Sequence, residues 1–145
     1  MLKVEDMPLE EMKALLGRVG YGHLGCARGG RPYVVPMNYA YDGESLYVFT
    51  TEGMKTSFIE SNPEVCLQVE EVESPRRWQS VMVTGRAERL TAQAEKESAM
   101  QLITRTNPTL TPAINRTQLD AWGRANEVVL YRIRPSIIDG RKTTD

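Results

Sequence analysis

A chain of 145 residues with 41% hydrophobic content and a net charge of −1 is long enough for one globular domain with one core. Because acidic and basic residues are interspersed, the chain lacks the basic stripe that sequence-independent nucleic-acid binding needs. No apolar run approaches the roughly 20 residues of a membrane span, and the acidic, amphipathic N-terminus is unlike a signal peptide. We therefore expect a single cytoplasmic domain over residues 1–145, with no nucleic-acid or membrane partner.

The chain has few residues of the kinds that bind metals. Cys26 and Cys66 lie far apart, each in an apolar, strand-like stretch, so we expect buried free thiols in a reducing cytosol rather than a disulfide. His23 is the sole histidine, and a transition-metal site built by the protein usually needs more ligands of this kind. No metal site is predicted, and His23, at a strand start, is expected to be structural.

The first predicted elements are a helix and a three-stranded meander. Pro8 suits the start of the helix and Gly17 its end, over residues 8–18. The apolar residues on one face of this helix are Leu9, Met12, Leu15 and Leu16. The meander follows over residues 21–51, because Gly-Gly-Arg-Pro and Asp-Gly turns separate three apolar runs. Pro36 in the second strand predicts a bulge, an edge, or a place where a ligand takes over backbone hydrogen bonding.

The rest of the chain predicts two helices and three strands. A short helix over residues 55–61 is followed by a strand over 62–72 and by a second strand over 79–90 with a bend at Gly85. A helix capped by Thr91 then covers residues 91–104, and a final strand covers 127–142. Residues 105–119, with two prolines and many Thr and Asn, predict a loop with short helical turns. About six strands and two or three helices indicate a mainly β (α+β) domain, a small antiparallel barrel with helices at its ends.

Residues 50–57, TTEGMKTS, join a predicted strand to a predicted helix and are rich in groups that bind phosphate. Backbone N–H groups at a helix start, hydroxyls and a fixed cation such as Lys55 all favour an anion. A lysine at that end opposes the helix dipole, and a bound phosphate would offset the cost. The pattern fits equally an ordinary capped turn with a solvated lysine, and it is not a P-loop. Arg28, in a Gly-rich turn, is expected to be solvated.

Two more segments are candidates for a ligand site. Residues 76–80, RRWQS, bring two arginines, an aromatic ring and two polar groups to a strand start, as in the rim of a site or in a surface loop with one aromatic anchor. In YVVPMNY, residues 33–39, a proline followed by Asn38 would expose backbone groups to a heteroaromatic ring. A plain edge strand explains the same pattern.

Three stretches carry features that are jointly specific: GRPYVVPMNYAYDGESLYVFTTEGMKTSFIESNPEVCLQV, WQSVMVTGRAERL and VVLYRIRPSIIDGRK. The features are the Gly-x-Pro strand, the strand ending in Thr before Gly-x-Lys, the Asn-Pro, and the Val-x-Val-x-Gly strand. In this order and spacing they resemble the pyridoxamine 5′-phosphate oxidase-like, FMN-binding split-barrel superfamily. By pattern the chain is most similar to the nitroimidazole-resistance (Nim-like) flavoproteins.

The resemblance implies a six-stranded antiparallel split β-barrel with short flanking helices, which forms a homodimer with two FMN sites at its interface. By this resemblance, the residues that line the isoalloxazine ring are Val35, Pro36, Met37 and Asn38, and those that flank the ring and ribityl chain are Phe49, Thr50 and Thr51. The phosphate is held by Lys55 with Thr56 or Ser57. The residues that come from the partner subunit are Trp78, Gln79 and Ser80.

The function implied is that of an FMN-dependent oxidoreductase acting on an unknown small substrate, with the chemistry residing in the cofactor. Nim-like proteins often carry a histidine where this chain has Phe49. Pyridoxamine-phosphate oxidases use further basic and His residues near the C-terminus, where this chain reads RIRPSIIDGRK and has no histidine. One alternative is a flavin-binding or stress-related protein without turnover. Another is a split barrel that binds deazaflavin F420 or haem, for which His23 is the only available histidine.

Overall fold

A computed structural model of the chain describes residues 1–106 and 128–145. In these ranges the elements are, in order, β1 (Lys3–Asp6), α1 (Leu9–Val19), β2 (Tyr21–Arg28), β3 (Arg31–Tyr41), β4 (Leu46–Thr51), α2 (Met54–Ser61), β5 (Glu64–Ser74), β6 (Arg77–Arg89), α3 (Gln93–Thr106) and β7 (Val128–Thr144). All six predicted strands are present, and β1 is an addition.

The strands form one antiparallel sheet that closes on itself. The sheet order is β1-β7-β4-β3-β2-β5-β6, and a further pairing of β6 with β7 closes six strands into a barrel. Strand β7 makes this possible because it is long enough to pair with β4 near its start, with β6 along most of its length and with β1 near its end. The mainly β, six-stranded barrel predicted from the sequence is confirmed, with β1 added outside the ring.

Two tight connections follow the predicted turn chemistry. Gly29 and Gly30 both have positive φ, 55° and 81°, which a two-residue hairpin turn between β2 and β3 requires. Helix α1 does not end at Gly17 as predicted but continues to Val19, and Gly20 with φ 74° terminates it. Gly17 is tolerated inside the helix because it lies on the exposed face.

Other differences from the sequence prediction concern element ends. Strand β6 begins at Arg77, so Trp78 lies in a strand and not in a loop. Helix α3 begins at Gln93, two residues after the Thr91 predicted to cap it. At Gly85 the predicted bend is a register shift against β7, and a Cβ there would lie 2.4 Å from the carbonyl oxygen of Arg134. Most of the predicted loop at 105–119 lies outside the described residues.

Two apolar clusters hold the fold together. The larger fills the barrel and is closed at one side by α1; its fully buried members include Leu15, Leu16, Leu24, Tyr39, Leu67, Val81, Val83 and Ile133. The smaller lies outside the barrel wall, beneath α3, and consists of Ala40, Phe49, Leu90, Ala99, Ile103, Val128 and Leu130. Strand β7 therefore buries both of its faces near its start.

Both cysteines are free thiols, as predicted, although only Cys26 is buried and Cys66 is half-buried. Burial raises the pKa of the Cys26 thiol. None of the three described helices combines the length and the hydropathy that a bilayer crossing would need.

Candidate functional site

The barrel opens between β3 and β4, and this opening is the candidate site. The two strands pair only at Tyr39–Tyr41 with Leu46–Val48, after which β4 continues alongside β7. Residues 31–37 of β3 keep β2 as a neighbour on one side and have no strand on the other among the described residues. The predicted edge at Pro36 is therefore confirmed, and no bulge occurs there because Pro36 stays in register with His23.

Helix α2 begins at the end of β4, beside this opening. Its first turn is closed by Thr56, whose hydroxyl accepts a hydrogen bond from the Gly53 N–H at 2.9 Å and lies 2.9 Å from the Gly53 carbonyl. Thr56 is 1% exposed, so its hydroxyl serves as a cap within the chain. The backbone N–H groups of Met54 and Lys55 come before the first intrahelical bond, from Ser57 to Gly53, and have no partner inside the helix.

Two cations flank this first turn. Lys55 is half-buried and forms no hydrogen bond or ion pair with any described residue, although its charge is close enough to Cys26 to oppose the rise in the pKa of that thiol. Arg28, at the end of β2, donates from Nη1 to the Ser57 hydroxyl at 2.7 Å. Its guanidinium also lies over the Phe58 ring, 4.5 Å from the centroid. Arg28 is exposed, as expected, but it also contacts Ser57 and Phe58, because α2 packs against β2.

Two carboxylates near the same helix share one arginine. Arg89 of β6 pairs with Glu52 at 2.7 Å and with Glu60 at 3.3 Å. Tyr131 donates to the Glu60 carboxylate at 2.8 Å, and burial together with this carboxylate raises the pKa of Tyr131. The Glu52 carboxylate beside the start of α2 therefore pairs with Arg89, and neither Lys55 nor Arg28 forms an ion pair with a carboxylate of the described residues.

The β3 residues predicted to line a ring divide between the two faces of the strand. Val35 and Met37 point inward and join the barrel core, with Met37 3% exposed. Asn38 is 1% exposed and donates to the Gly20 carbonyl at 3.3 Å. Pro36 alone of the four is exposed, next to Val34. Val35 and Met37 can thus meet a ligand through their backbone and not through their side chains.

The residues of β4 are also mostly covered. Phe49 is 5% exposed and packs in the cluster beneath α3, so its ring is a packing group and does not face the opening. Thr50 is 3% exposed, and Thr51 is half-buried at the strand end. Of the three, Thr51 is the one whose side chain can reach a ligand at the start of α2.

Trp78, Gln79 and Ser80 lie at the opposite end of the barrel. All three are half-buried, and the Ser80 hydroxyl accepts from Gln68 at 3.0 Å. Along β6, Ala87 is the residue that meets the chain just after α2, through its N–H bond to Pro63. Ser80 lies seven residues before it, about 23 Å at 3.3 Å per residue. Within one chain these residues do not reach α2.

The other candidate ligands are separate from the opening. His23 is exposed on the outer surface of β2, where it contacts the Tyr21 ring edge-to-face at 5.9 Å. Among residues 1–106 and 128–145, no three His, Cys, Asp or Glu side chains come together in a way that would hold a metal ion. The chemistry available at the opening is therefore an unpaired strand edge, free N–H groups and two cations.

An antiparallel barrel of six strands that opens between two of them is a split β-barrel, which is the fold implied by the sequence resemblance. The chain belongs to the family described as pyridoxamine 5′-phosphate oxidase, whose profile matches residues 8–142. The resemblance is thereby confirmed at the level of the family.

Relatives of this chain include flavin-binding proteins. A FAD-binding protein from Mesorhizobium loti is 30% identical, with a TM-score of 0.79 and all of both chains covered. A candidate 5-nitroimidazole antibiotic resistance protein from Bacteroides thetaiotaomicron has the same fold at 21% identity, with a TM-score of 0.77 over 100% of this chain and 92% of that one. An uncharacterised Rhizobium meliloti (strain 1021) protein is 42% identical over 89 residues, which are 61% of this chain and 59% of that protein.

Arg28 is the site residue that sequence analysis missed. It lies 29 residues before its hydrogen-bond partner Ser57, and no local pattern links the two. The available signal was its place at the end of the strand preceding the Gly-x-Pro strand, which the barrel brings next to α2.

Proposed function

We propose that this chain is a flavoprotein that binds FMN in the opening between β3 and β4. The isoalloxazine ring would lie along the exposed edge of β3, and the phosphate would bind at the start of α2. The observation that carries the proposal is Lys55, a half-buried cation without an acidic partner among the described residues, beside free N–H groups. Family membership and the FAD-binding relative support a flavin as the ligand.

FMN is favoured over FAD by the charge at the helix start. FMN ends in a phosphate that is close to a dianion at neutral pH, as phosphate monoesters are. One helix start with adjacent cations suits such a terminal group. FAD is the second candidate, because the Mesorhizobium loti relative is named for it.

We further propose that the flavin serves in an oxidoreductase. A bound flavin supplies the hydride or electron transfer, and the chain holds and orients it. Two exposed side chains of β3 at the middle of the opening, Val34 and Pro36, have no ionisable group. This fits either an enzyme whose reaction takes place on the ring or a flavin-binding protein without turnover.

We also propose a homodimer that forms through the outer face of the sheet. One row across five strands consists of Val34, Gly25, Cys66, Thr84 and Ile137, none of them charged. Val34 and Ile137 are 63% and 54% exposed, and Met82 in the next row is 45% exposed. A contiguous uncharged surface of this kind is typical of a protein interface. A second copy would bring its residues 78–80 to the flavin.

The absorption spectrum and bound cofactor of the purified protein test the proposal. We expect an oxidised-flavin spectrum, release of FMN and no FAD on acid extraction, and bleaching by NADH or NADPH if the protein turns over. Release of FAD would replace FMN with the second candidate. A Soret band would indicate haem, and a protein without any chromophore that also fails to take up added flavin would contradict the function.

Lys55→Ala should weaken FMN binding by about tenfold to a hundredfold, the range for one charge-assisted contact. Titration of the apo-protein by flavin fluorescence measures this. Lys96→Ala is the matched control, because Lys96 is also half-buried and near the start of a helix. Equal affinities of the Lys55 and Lys96 variants would contradict the phosphate position.

A further inference from the structure

The side chain of Arg28 is held in place before any ligand binds. Its Nη1 donates to the Ser57 hydroxyl at 2.7 Å, and the guanidinium stacks over the Phe58 ring at 4.5 Å. Phe58 is 2% exposed and is held in turn by Tyr33, whose ring centroid is 5.4 Å away. A guanidinium fixed on both an aromatic face and a hydroxyl loses less conformational entropy on binding an anion than a solvated one.

Arg28, like Arg31, has no carboxylate partner within the described residues. Arg18, Arg89 and Arg132 each pair with at least one glutamate at 3.3 Å or less. Lys55 lies in the first turn of α2, where the helix dipole is positive, and Arg28 contacts Ser57 in the next turn of the same helix. An anion bound at this helix start would be attracted by the helix dipole and by both cations.

We propose that Arg28 binds the phosphate of the flavin and selects phosphorylated flavins over riboflavin. This inference rests on the proposed flavin function. The hydrogen bond to Ser57 uses one of the five N–H groups of a guanidinium, and the others remain for phosphate oxygens. Ser57 then acts as the residue that positions Arg28, and Lys55 and Arg28 bind the phosphate together.

The test is the affinity of apo-protein variants for FMN and for riboflavin, measured by quenching of flavin fluorescence. Arg28→Met keeps an unbranched stem over Phe58 and removes the charge, and we expect its Kd for FMN to rise about tenfold to a hundredfold. Its Kd for riboflavin, which has no phosphate, should stay within about twofold of native. Arg28→Lys keeps the charge without the planar fork and should recover part of the loss.

Arg105→Met is the matched control. Arg105 lies in the last turn of α3, away from the start of α2, is exposed, and makes no hydrogen bond or ion pair with the described residues. We expect its affinity for FMN to change by less than about threefold. The melting temperature of each apo-variant shows that it is folded.

Several outcomes would overturn the proposal. These are a native-like Kd for FMN in Arg28→Met, an equal loss of riboflavin and FMN binding, or an Arg105→Met effect as large as that of Arg28→Met. Failure of the proposed function is distinguishable from each, because the native apo-protein would then bind neither flavin.

Discussion

The carboxylate of Asp42 stabilises the fold to an extent that depends on pH. At the turn between β3 and β4, its Oδ1 accepts from the N–H groups of Glu44 and Ser45 at 2.8 and 2.7 Å, and its Oδ2 accepts from the Tyr47 hydroxyl at 3.0 Å. Partial burial alone would raise the pKa of Asp42, but these hydrogen bonds together outweigh it, so the pKa lies below its ordinary value.

A lowered pKa in the folded state means that the ionised Asp42 stabilises the fold above the unfolded pKa of about 3.9. That contribution is lost as the pH falls through the folded pKa. Asp42→Asn should therefore lower the free energy of unfolding at pH 7 by about 0.5–1 kcal/mol, at the low end because the side chain is exposed. The difference from native should vanish in acid below the folded pKa. Urea unfolding at both pH values measures it, with Asp139→Asn as control, and a pH-independent difference would contradict it.

For individual residues, the sequence predicted which chemical groups lie near the candidate site better than the direction in which each side chain points. Lys55 was predicted to hold a ligand phosphate because it lies between a Thr-rich strand end and a helix, and in the structure it has no partner among the described residues. Phe49 and Met37 were assigned to the ligand by resemblance, yet their side chains pack in the two cores. Which face a strand residue occupies depends on register, and a shift of one residue reverses it. Arg28 was missed because a contact across 29 residues leaves no local signal.

Within the elements, replacement of Gly85 and of Gly17 by alanine should change the free energy of unfolding in opposite directions. Gly85 sits at the register shift between β6 and β7, where a Cβ would lie 2.4 Å from a backbone oxygen that cannot move aside freely. Gly17 lies on the exposed face of α1, with nothing within 4 Å of a Cβ. Gly85→Ala should cost about 1–3 kcal/mol of unfolding free energy, and Gly17→Ala should add about 0.5–1 kcal/mol. Thermal and urea unfolding measure both, and destabilisation by Gly17→Ala would contradict this account of α1.

Elements with a strong internal pattern were predictable, and elements defined by a partner were not. Helix α1 and strands β2 to β6 follow from apolar spacing and turn residues, to within a few positions. Strand β1 has four exposed residues and exists because it pairs with residues 141–144 of β7. No feature of residues 3–6, KVED, predicts that pairing, because an edge strand takes its conformation from the neighbouring strand.

For the molecule as a whole, the proposed dimer makes the most direct prediction. Native protein should have about twice the 16.4 kDa chain mass by light scattering. Ile137→Glu places a charge in the uncharged outer row and should shift the mass to that of one chain. It should also weaken FMN binding, if residues 78–80 of a second copy complete the site. Leu9→Glu, at a residue 49% exposed on α1, is the control. A native monomer with one FMN per chain would contradict the dimer.

The closure of the barrel by β7 has a consequence for synthesis. During translation β4 and β6 leave the ribosome well before the strand that lies between them. Until β7 arrives, each has one edge with unpaired backbone groups, the kind of edge that pairs with other chains. The β2–β3 hairpin can form early, because its two strands pair across a two-residue turn. The nascent chain is therefore most open to aggregation and to chaperones until β7 emerges, and the pairing of β7 with β4 and β6 then closes the barrel.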